Sequence, residues 1–276
     1  MTSRSENTKR IAKNTLMLYA RMLFSMLVSL YTSRVILNAL GVEDYGIYNV
    51  VGGFVAMFSL ISNSLSSSVS RFLTFELGRG DKLRLKETFS TSMLVHITLA
   101  LIVFILAESL GVWFLNSYMT IPSNRLYAAN WVFQASVISF MFGLTCVPYN
   151  ASIASHEHMS AFAYIGMLDV IFRLLIVLFI AYVPFEFDKL ITYSLLLLGV
   201  SLLLQCIYLW YCRKNFDECR FRLYFNKECW KEMSAFAGWN FIGCTAGLLK
   251  DQGVNILLNI FLGPVVNAAR GIALSV

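Results

Sequence analysis

The chain has 276 residues, of which 58% are hydrophobic and 14% are charged, and its formal net charge is +6. Soluble domains carry about 25% charged residues, so this composition excludes an ordinary soluble domain and predicts an all-α, polytopic membrane helix bundle. The positive charge follows the loops on one side of the predicted topology, so it does not indicate nucleic-acid binding.

Long apolar blocks predict seven complete membrane-spanning helices and the start of an eighth. A bilayer core of about 30 Å needs roughly 20 apolar residues per helix. Blocks of this kind occupy residues 12–38, 46–70, 89–115, 127–150, 161–183, 190–212 and 235–262, and another begins near Asn267. We expect a six-helix lobe over 1–212, a cytoplasmic linker with an amphipathic helix over 213–233, and a truncated second lobe over 234–276.

Lysine and arginine concentrate in the loops on one side of this topology. The tail before the first span and the loops after the second and sixth spans contain 4, 5 and 6 basic residues, whereas the opposite side has only Arg125 and Lys189. The positive-inside rule then places the N-terminus in the cytoplasm.

The first two predicted helices each carry a polar stripe. On the first helix the stripe covers roughly 80° of the helical wheel and consists of Asn14, Arg21, Ser25, Ser29 and Thr32. Arg34 points away from it, near the outer end, where its side chain can reach the interface. The second stripe consists of Asn49, Gly52, Ser59, Asn63, Ser66 and Ser70. Small hydroxyl residues suit either tight helix packing or the wall of a hydrophilic cavity, and Arg21 favours the cavity.

Three local features distinguish the fourth and fifth predicted helices and the turn between them. Pro148 predicts a break or kink near the end of the fourth helix. In the turn His156-Glu157-His158, Ser160 stands where the HExxH motif needs its second histidine, so we expect solvated histidines and no metal site. On the fifth helix, the i,i+4 spacing of Asp169 and Arg173 predicts an ion pair, which favours a structural role for Arg173.

The last complete span combines apolar length with ionisable residues. It runs from Trp239 to Asn259 and carries Lys250 and Asp251 near its middle. One helix face collects Asn240, Gly247, Asp251 and Asn255, with Lys250 on its flank. Ionisable residues at membrane depth ordinarily face a wet cavity or a charged partner, so this helix is predicted to line a hydrophilic pathway, with a structural polar seam as the alternative.

Four stretches of the chain resemble a known family. They are RVILNALGVEDYGIYNVVGG at 34–53, VPYNASIASHEHMSAFAYIGMLDVIFRLL at 147–175, WKEMSAFAGWNFIGCTAGLLKDQGVNILLN at 230–259 and GPVVNAARGIA at 263–273. In this order and topology they resemble the polysaccharide flippases of the multidrug/oligosaccharidyl-lipid/polysaccharide (MOP) exporter superfamily, which translocate O-antigen (lipopolysaccharide) and capsule precursors. The resemblance implies two six-helix bundles around a central cavity. This chain would supply the first bundle and the start of the second.

The resemblance also implies a function. A flippase of this kind is not an enzyme and needs no cofactor. It moves a polyprenyl-pyrophosphate-linked oligosaccharide from the cytoplasmic to the outer leaflet of the bacterial inner membrane. The expected partners are this lipid-linked oligosaccharide, membrane lipids and other membrane proteins of polysaccharide assembly, with no nucleic acid.

Charge chemistry agrees with that substrate. A diphosphate entering the membrane must exchange water for fixed donors, which arginine and lysine supply. Arg21 is the first candidate for a cationic cavity, and Lys250 would face it from the second lobe. Asp251 is either the partner of Lys250 or a coupling site for a proton or cation. The remaining candidate residues are Asn63, Asn240, Asn255, Arg34, Arg173 and Arg270.

Three other functions compete with this interpretation. A cation-coupled multidrug exporter of the same superfamily would place acidic residues near the first helix, where this chain has Arg21. A membrane-bound sugar polymerase or glycosyltransferase would need a large outer loop or a carboxylate or histidine cluster. A purely structural membrane protein would not need polar faces on three separate helices.

Overall fold

The structure is a computed structural model that describes residues 2–56, 58–117, 121–183, 187–220, 226–240, 242, 243 and 246. All the regular structure in these ranges is helical. The helices are α1 (Thr2–Ala56), α2 (Ser59–Arg79), α3 (Lys82–Leu106), α4 (Val112–Ser117), α5 (Leu126–Ser155), α6 (Met159–Tyr182), α7 (Lys189–Asn215) and α8 (residues 227–240). A π-helical turn, Ala107–Gly111, joins α3 to α4, and a short 3₁₀ turn, Asp217–Cys219, follows α7.

Five helical segments in the described ranges are long and apolar enough to cross a membrane. They are Asn14–Gly41, Lys82–Ser117, Leu126–Ser155, Met159–Tyr182 and Lys189–Asn215. These segments overlap the first, third, fourth, fifth and sixth spans predicted from the sequence. The second predicted span coincides with the end of α1 and the start of α2. The seventh begins within α8, and most of it lies outside the described residues.

Gly41 divides α1 into two helices. Its backbone angles are φ 83° and ψ 168°, whereas the flanking residues are helical. A φ near +83° is strained for any residue with a Cβ, so glycine is the natural residue here. The loop predicted between the first two spans therefore consists of one glycine and its neighbours.

The predicted break at Pro148 does not occur. Helix α5 continues through Pro148 to Ser155, and Pro148 is buried. A proline removes one backbone donor and crowds the preceding turn, but neighbouring helices stabilise such positions. Here α5 is the central helix of the bundle, because it packs against α1, α2, α3 and α7.

The predicted amphipathic helix of the linker forms the start of α8. Asn226 caps it, since its side-chain oxygen accepts hydrogen bonds from the backbone N–H groups of Glu228 (3.0 Å) and Cys229 (3.2 Å). Met233 on this helix is buried, whereas Trp230 is 42% exposed. Ser68 on α2 donates to the carbonyl of Met233 at 3.0 Å, which fixes α8 along α2.

Three residues at one end of the bundle form a charged clamp, which we define as Asp44, Arg125 and Asp188. Arg125 donates from Nε to Asp44 Oδ1 at 2.7 Å, and from Nη2 to the second oxygen of the same carboxylate. Its Nη1 donates to Asp188, which also caps α7 by accepting from the N–H groups of Leu190 and Ile191. These hydrogen bonds, first of all those to Asp44, raise the pKa of Arg125 above its usual value. The clamp joins α1, α5 and α7.

We predict that Arg125→Gln destabilises the protein. The Asp44 carboxylate is 8% exposed, and the substitution leaves it without its charged partner. Hydrogen bonds to charged groups contribute about 1.5–3 kcal/mol each, so a loss in that range is expected in the free energy of unfolding. Unfolding of the detergent-solubilised protein by heat or denaturant measures it.

The matched control is Arg79→Gln. Arg79 is 62% exposed and lies 3.8 Å from Glu76 in the same helix. Glu76 is itself largely buried, but at 3.8 Å the two groups are beyond hydrogen-bond distance and Arg79 is screened by solvent, so this variant should lose no more than about 1 kcal/mol. Equal destabilisation by the two substitutions would contradict a special role for the clamp.

Candidate functional site

One face of α6 carries four residues that define the candidate site. Phe162, Gly166, Asp169 and Arg173 follow one another at spacings of four, three and four, so they lie on one side of the helix. We call them the α6 stripe. Helix α1 packs along α6. The stripe runs from the first turn of α6 to a point beyond its middle.

Arg21 on α1 lies across the α6 stripe. Its Cζ atom is 4.5 Å from the centre of the Phe162 ring, which is a cation–π contact. A Cβ atom added to Gly166 would lie 2.6 Å from Arg21 Nε and 2.9 Å from Cζ. The absence of a side chain at Gly166 therefore provides the room in which the guanidinium lies.

The polar face of α1 contacts α6 at Arg21 and the turn before α6 at Asn14. Seven residues before Arg21, Asn14 donates a hydrogen bond to the carbonyl of Glu157 at 3.4 Å. The prediction that Arg21 faces Lys250 stays a prediction, because Lys250 lies outside the described residues. Within them, Arg21 contacts Phe162 and Gly166.

The predicted ion pair on α6 is present. Arg173 Nε donates to Asp169 Oδ1 at 2.7 Å, and the Arg173 side chain is 48% exposed. The pair keeps a guanidinium near the middle of an apolar helix together with its counter-charge, which lowers the cost of its position. Only Nε is used in this bond, so the two Nη atoms retain donors.

Arg173 also lines a cavity with a volume of about 230 Å³ between α1, α5, α6 and α7. We call it the serine cavity. Its polar lining residues are Tyr48, Ser136, Ser139, Arg173, Ser194 and Ser201. The sequence favoured a structural role for Arg173, and the structure adds a position on the wall of a polar cavity.

The histidines of the turn between α5 and α6 are not simply solvated, contrary to the expectation from sequence. His156 Nε2 donates to Glu218 at 2.5 Å, and its ring stacks on Phe216 with 4.2 Å between ring centres. His158 Nδ1 forms a hydrogen bond with the hydroxyl of Tyr211 at 2.9 Å. Both contacts connect the turn to the end of α7. In the described part of the chain, no group of three or more His, Cys, Asp or Glu residues could hold a metal ion.

The structure places the other candidates from the sequence away from the α6 stripe, or leaves them undescribed. Arg34 and Asn63 are exposed. Asn240 donates to the carbonyl of Ser64 at 3.4 Å, so it contributes to the contact between α8 and α2. The candidates that lie outside the described residues are Lys250, Asp251, Asn255 and Arg270.

Sequence reasoning missed two features of the bundle interior. His96 is fully buried on α3, and its Nδ1 donates to the carbonyl of Ser92 at 2.8 Å. A lone histidine within an apolar block is a visible signal, because ionisable residues at that position are costly. Tyr48 and Tyr193 pack edge to face with 5.0 Å between ring centres. That contact joins residues 145 positions apart in the chain, so no local pattern could reveal it.

The sequence of the chain matches a known protein family over most of its length. Residues 11–272 match the family described as polysaccharide biosynthesis protein. The chain belongs to this family. No curated protein sequence matches it significantly.

Among solved structures, this member of the polysaccharide biosynthesis family is similar to a MOP superfamily transporter from Pyrococcus furiosus. The match has a TM-score of 0.70 at 13% sequence identity and covers 95% of this chain. It covers 60% of the length of the archaeal transporter, whose reported feature is a binding pocket of reversed polarity. At this identity the likeness establishes the fold, which is that of a MOP transporter.

Family and fold together describe the chain coarsely. It is a multi-pass membrane protein of the polysaccharide biosynthesis family, and its structural neighbour is a transporter. This agrees with the fold class and the family that the sequence alone suggested. At the α6 stripe, Arg21 places a positive charge without a carboxylate partner among the described residues between two packed helices.

We predict that Gly166→Ala displaces Arg21 from Phe162. The added methyl group would overlap the Arg21 side chain, which is flexible enough to move away. The substitution should therefore lose a cation–π contact worth about 0.5–1 kcal/mol, which offsets the usual gain from replacing a helical glycine. Thermal unfolding measures the net change in stability. Reaction of Arg21 with phenylglyoxal should become faster, because the displaced side chain is more accessible.

Gly199→Ala is the matched control on α7. A Cβ there would meet nothing within 4 Å, so this variant should gain about 0.5–1 kcal/mol of stability and leave Arg21 unchanged. If Gly166→Ala stabilised the protein as much as Gly199→Ala, the contact between Arg21 and Gly166 would be energetically irrelevant.

Proposed function

We propose that this transporter moves a polyprenyl-pyrophosphate-linked oligosaccharide from the cytoplasmic to the outer leaflet of a bacterial inner membrane. The polysaccharide biosynthesis family supports a saccharide precursor as cargo, and the MOP transporter fold supports movement by alternating access. Surface polysaccharides such as O-antigen or lipopolysaccharide would be the products that this step serves. The N-terminus would face the cytoplasm, because the more basic loops lie on that side.

The proposal rests on the positive charge of Arg21, which no carboxylate of the described residues balances. Arg125 and Arg173 each donate to a carboxylate, whereas Arg21 has no carboxylate partner among the described residues. The Phe162 ring that it contacts carries no formal charge, so the positive charge of Arg21 is not neutralised there. An arginine placed this way can bind a diphosphate through parallel hydrogen bonds.

The rest of the substrate path is inferred by continuity. The chain spans 60% of the length of its structural neighbour. We propose that Lys250, from the first helix of the second lobe, approaches Arg21 across a central cavity. Asp251 would either neutralise Lys250 or couple transport to a proton or cation. Asn240 and Asn255 would extend the same polar face.

We predict that Arg21→Glu abolishes flipping and that Arg21→Lys slows it. Glutamate would repel the diphosphate, whereas lysine keeps the charge but loses bidentate geometry. A hydrogen bond to a charged group contributes about 1.5–3 kcal/mol, so the lysine variant should be slower by about tenfold or more. The assay uses the complete protein in liposomes, and it times the appearance of a fluorescent polyprenyl-pyrophosphate oligosaccharide in the second leaflet.

Two controls make the result interpretable. Arg79→Gln changes an exposed arginine outside the site and should flip the lipid at the parent rate. A parallel assay follows cation-driven efflux of an organic dye. Normal flipping by Arg21→Glu would remove Arg21 from the path. Dye efflux without movement of the lipid would assign the protein to the drug-exporting branch instead.

A further inference from the structure

The serine cavity contains hydrogen-bond donors that no described residue uses. Serines in apolar helices ordinarily donate to the carbonyl one turn earlier, because lipid offers no alternative partner. Ser194 and Ser201 follow this rule, donating to the carbonyls of Ile191 (2.8 Å) and Leu197 (3.1 Å). Ser136 and Ser139 line the same cavity, and within the described ranges neither makes a hydrogen bond.

Arg173 adds charge to these free donors. Its Nε is bound to Asp169, but Asp169 does not line the cavity. Among the residues that do, Arg173 carries the single formal charge. The serine cavity therefore combines two unused hydroxyl donors from α5 with the Nη donors of a guanidinium from α6. Donors without acceptors, next to positive charge, are the chemistry of an anion site.

We propose that the serine cavity binds a small monovalent anion of the halide kind, held by Ser136, Ser139 and Arg173. This inference does not depend on the proposed function, which rests on Arg21, although Arg173 belongs to the α6 stripe as well. Gly166, where Arg21 lies, is two helical turns from Arg173, a rise of about 10 Å along α6.

Size and charge select the class of anion. The volume of about 230 Å³ holds a halide with a few water molecules and is too small for an oligosaccharide headgroup. Asp169 already offsets part of the charge on Arg173. A doubly charged phosphate would lose more hydration free energy than the hydrogen bonds of these donors could replace. An anion with one negative charge is therefore favoured. Competition from Asp169 also makes the binding weak.

Chloride is the probe for the test. The complete protein is placed in phosphatidylcholine nanodiscs and unfolded thermally in sodium gluconate. Chloride then replaces gluconate, a larger anion with a less concentrated charge, at constant ionic strength. A ligand that binds only the folded state raises the unfolding temperature in a saturable way. The expected result is a saturable rise with chloride.

Two pairs of serines in the same cavity give matched variants. Ser136→Ala with Ser139→Ala removes the unused donors and should raise the half-saturating chloride concentration at least about tenfold, in line with two lost charge-assisted hydrogen bonds. Ser194→Ala with Ser201→Ala removes hydroxyls already committed to backbone carbonyls, so it should keep the parent value. Asp169→Asn with Arg173→Gln removes both charges without leaving a lone carboxylate, and should abolish the chloride effect.

Three results would overturn the proposal. An unfolding temperature that does not depend on the choice of chloride or gluconate would mean that the cavity holds only water. An unchanged chloride response in the Ser136/Ser139 variant would place the anion elsewhere. Equal weakening in both serine pairs would show that the donors proposed here are not special. Loss of flipping alone would affect none of these readouts.

Discussion

Placing a guanidinium inside an apolar helix bundle costs several kcal/mol unless its charge is balanced or its surface is covered. The bundle meets this constraint in three different ways. Arg125 lies between two carboxylates at the bundle end, Arg173 pairs with a carboxylate on its own helix, and Arg21 lies against an aromatic ring in the space above a glycine. The charges of Arg125 and Arg173 are balanced by carboxylates, which suits residues that stabilise the fold. The aromatic ring covers Arg21 without neutralising it, so Arg21 remains able to bind an anion.

Local patterns in the sequence predicted the features that depend on neighbouring residues alone, namely the membrane spans and an ion pair within one helix. The apolar blocks located five spans, because hydrocarbon thickness sets helix length, and the i,i+4 spacing of Asp169 and Arg173 predicted their ion pair. Contacts distant in the chain could not be read this way. The clamp joins a residue within α1 to the residues that precede α5 and α7, and the contact of Arg21 with Gly166 depends on how two helices pack. The expected break at Pro148 was wrong for the same reason, since a helix surrounded by others tolerates a proline that an isolated helix does not.

The candidate site was predicted in part. Arg21 was singled out because its polar neighbours recur on one face of the first helix, and that face does meet α6. The same method favoured a structural role for Arg173 and kept it only as a weaker site candidate, because a wheel of one helix cannot show that serines from two others lie beside it. The histidines of the turn were undervalued, since the residues that bind them, Glu218 and Tyr211, come more than 50 positions later. Side chains from separate helices form a site only after the bundle has assembled.

The double use of Asp188 has a mechanical consequence. This carboxylate caps the first turn of α7 and also accepts a hydrogen bond from Arg125, the residue before α5. Arg125 in turn donates to Asp44, which follows the kink in α1. Tilting α5 against α7 would therefore uncap a helix as well as break an ion pair. Three helices linked through one guanidinium at this end resist shear against one another, so α1, α5 and α7 should keep their registry there.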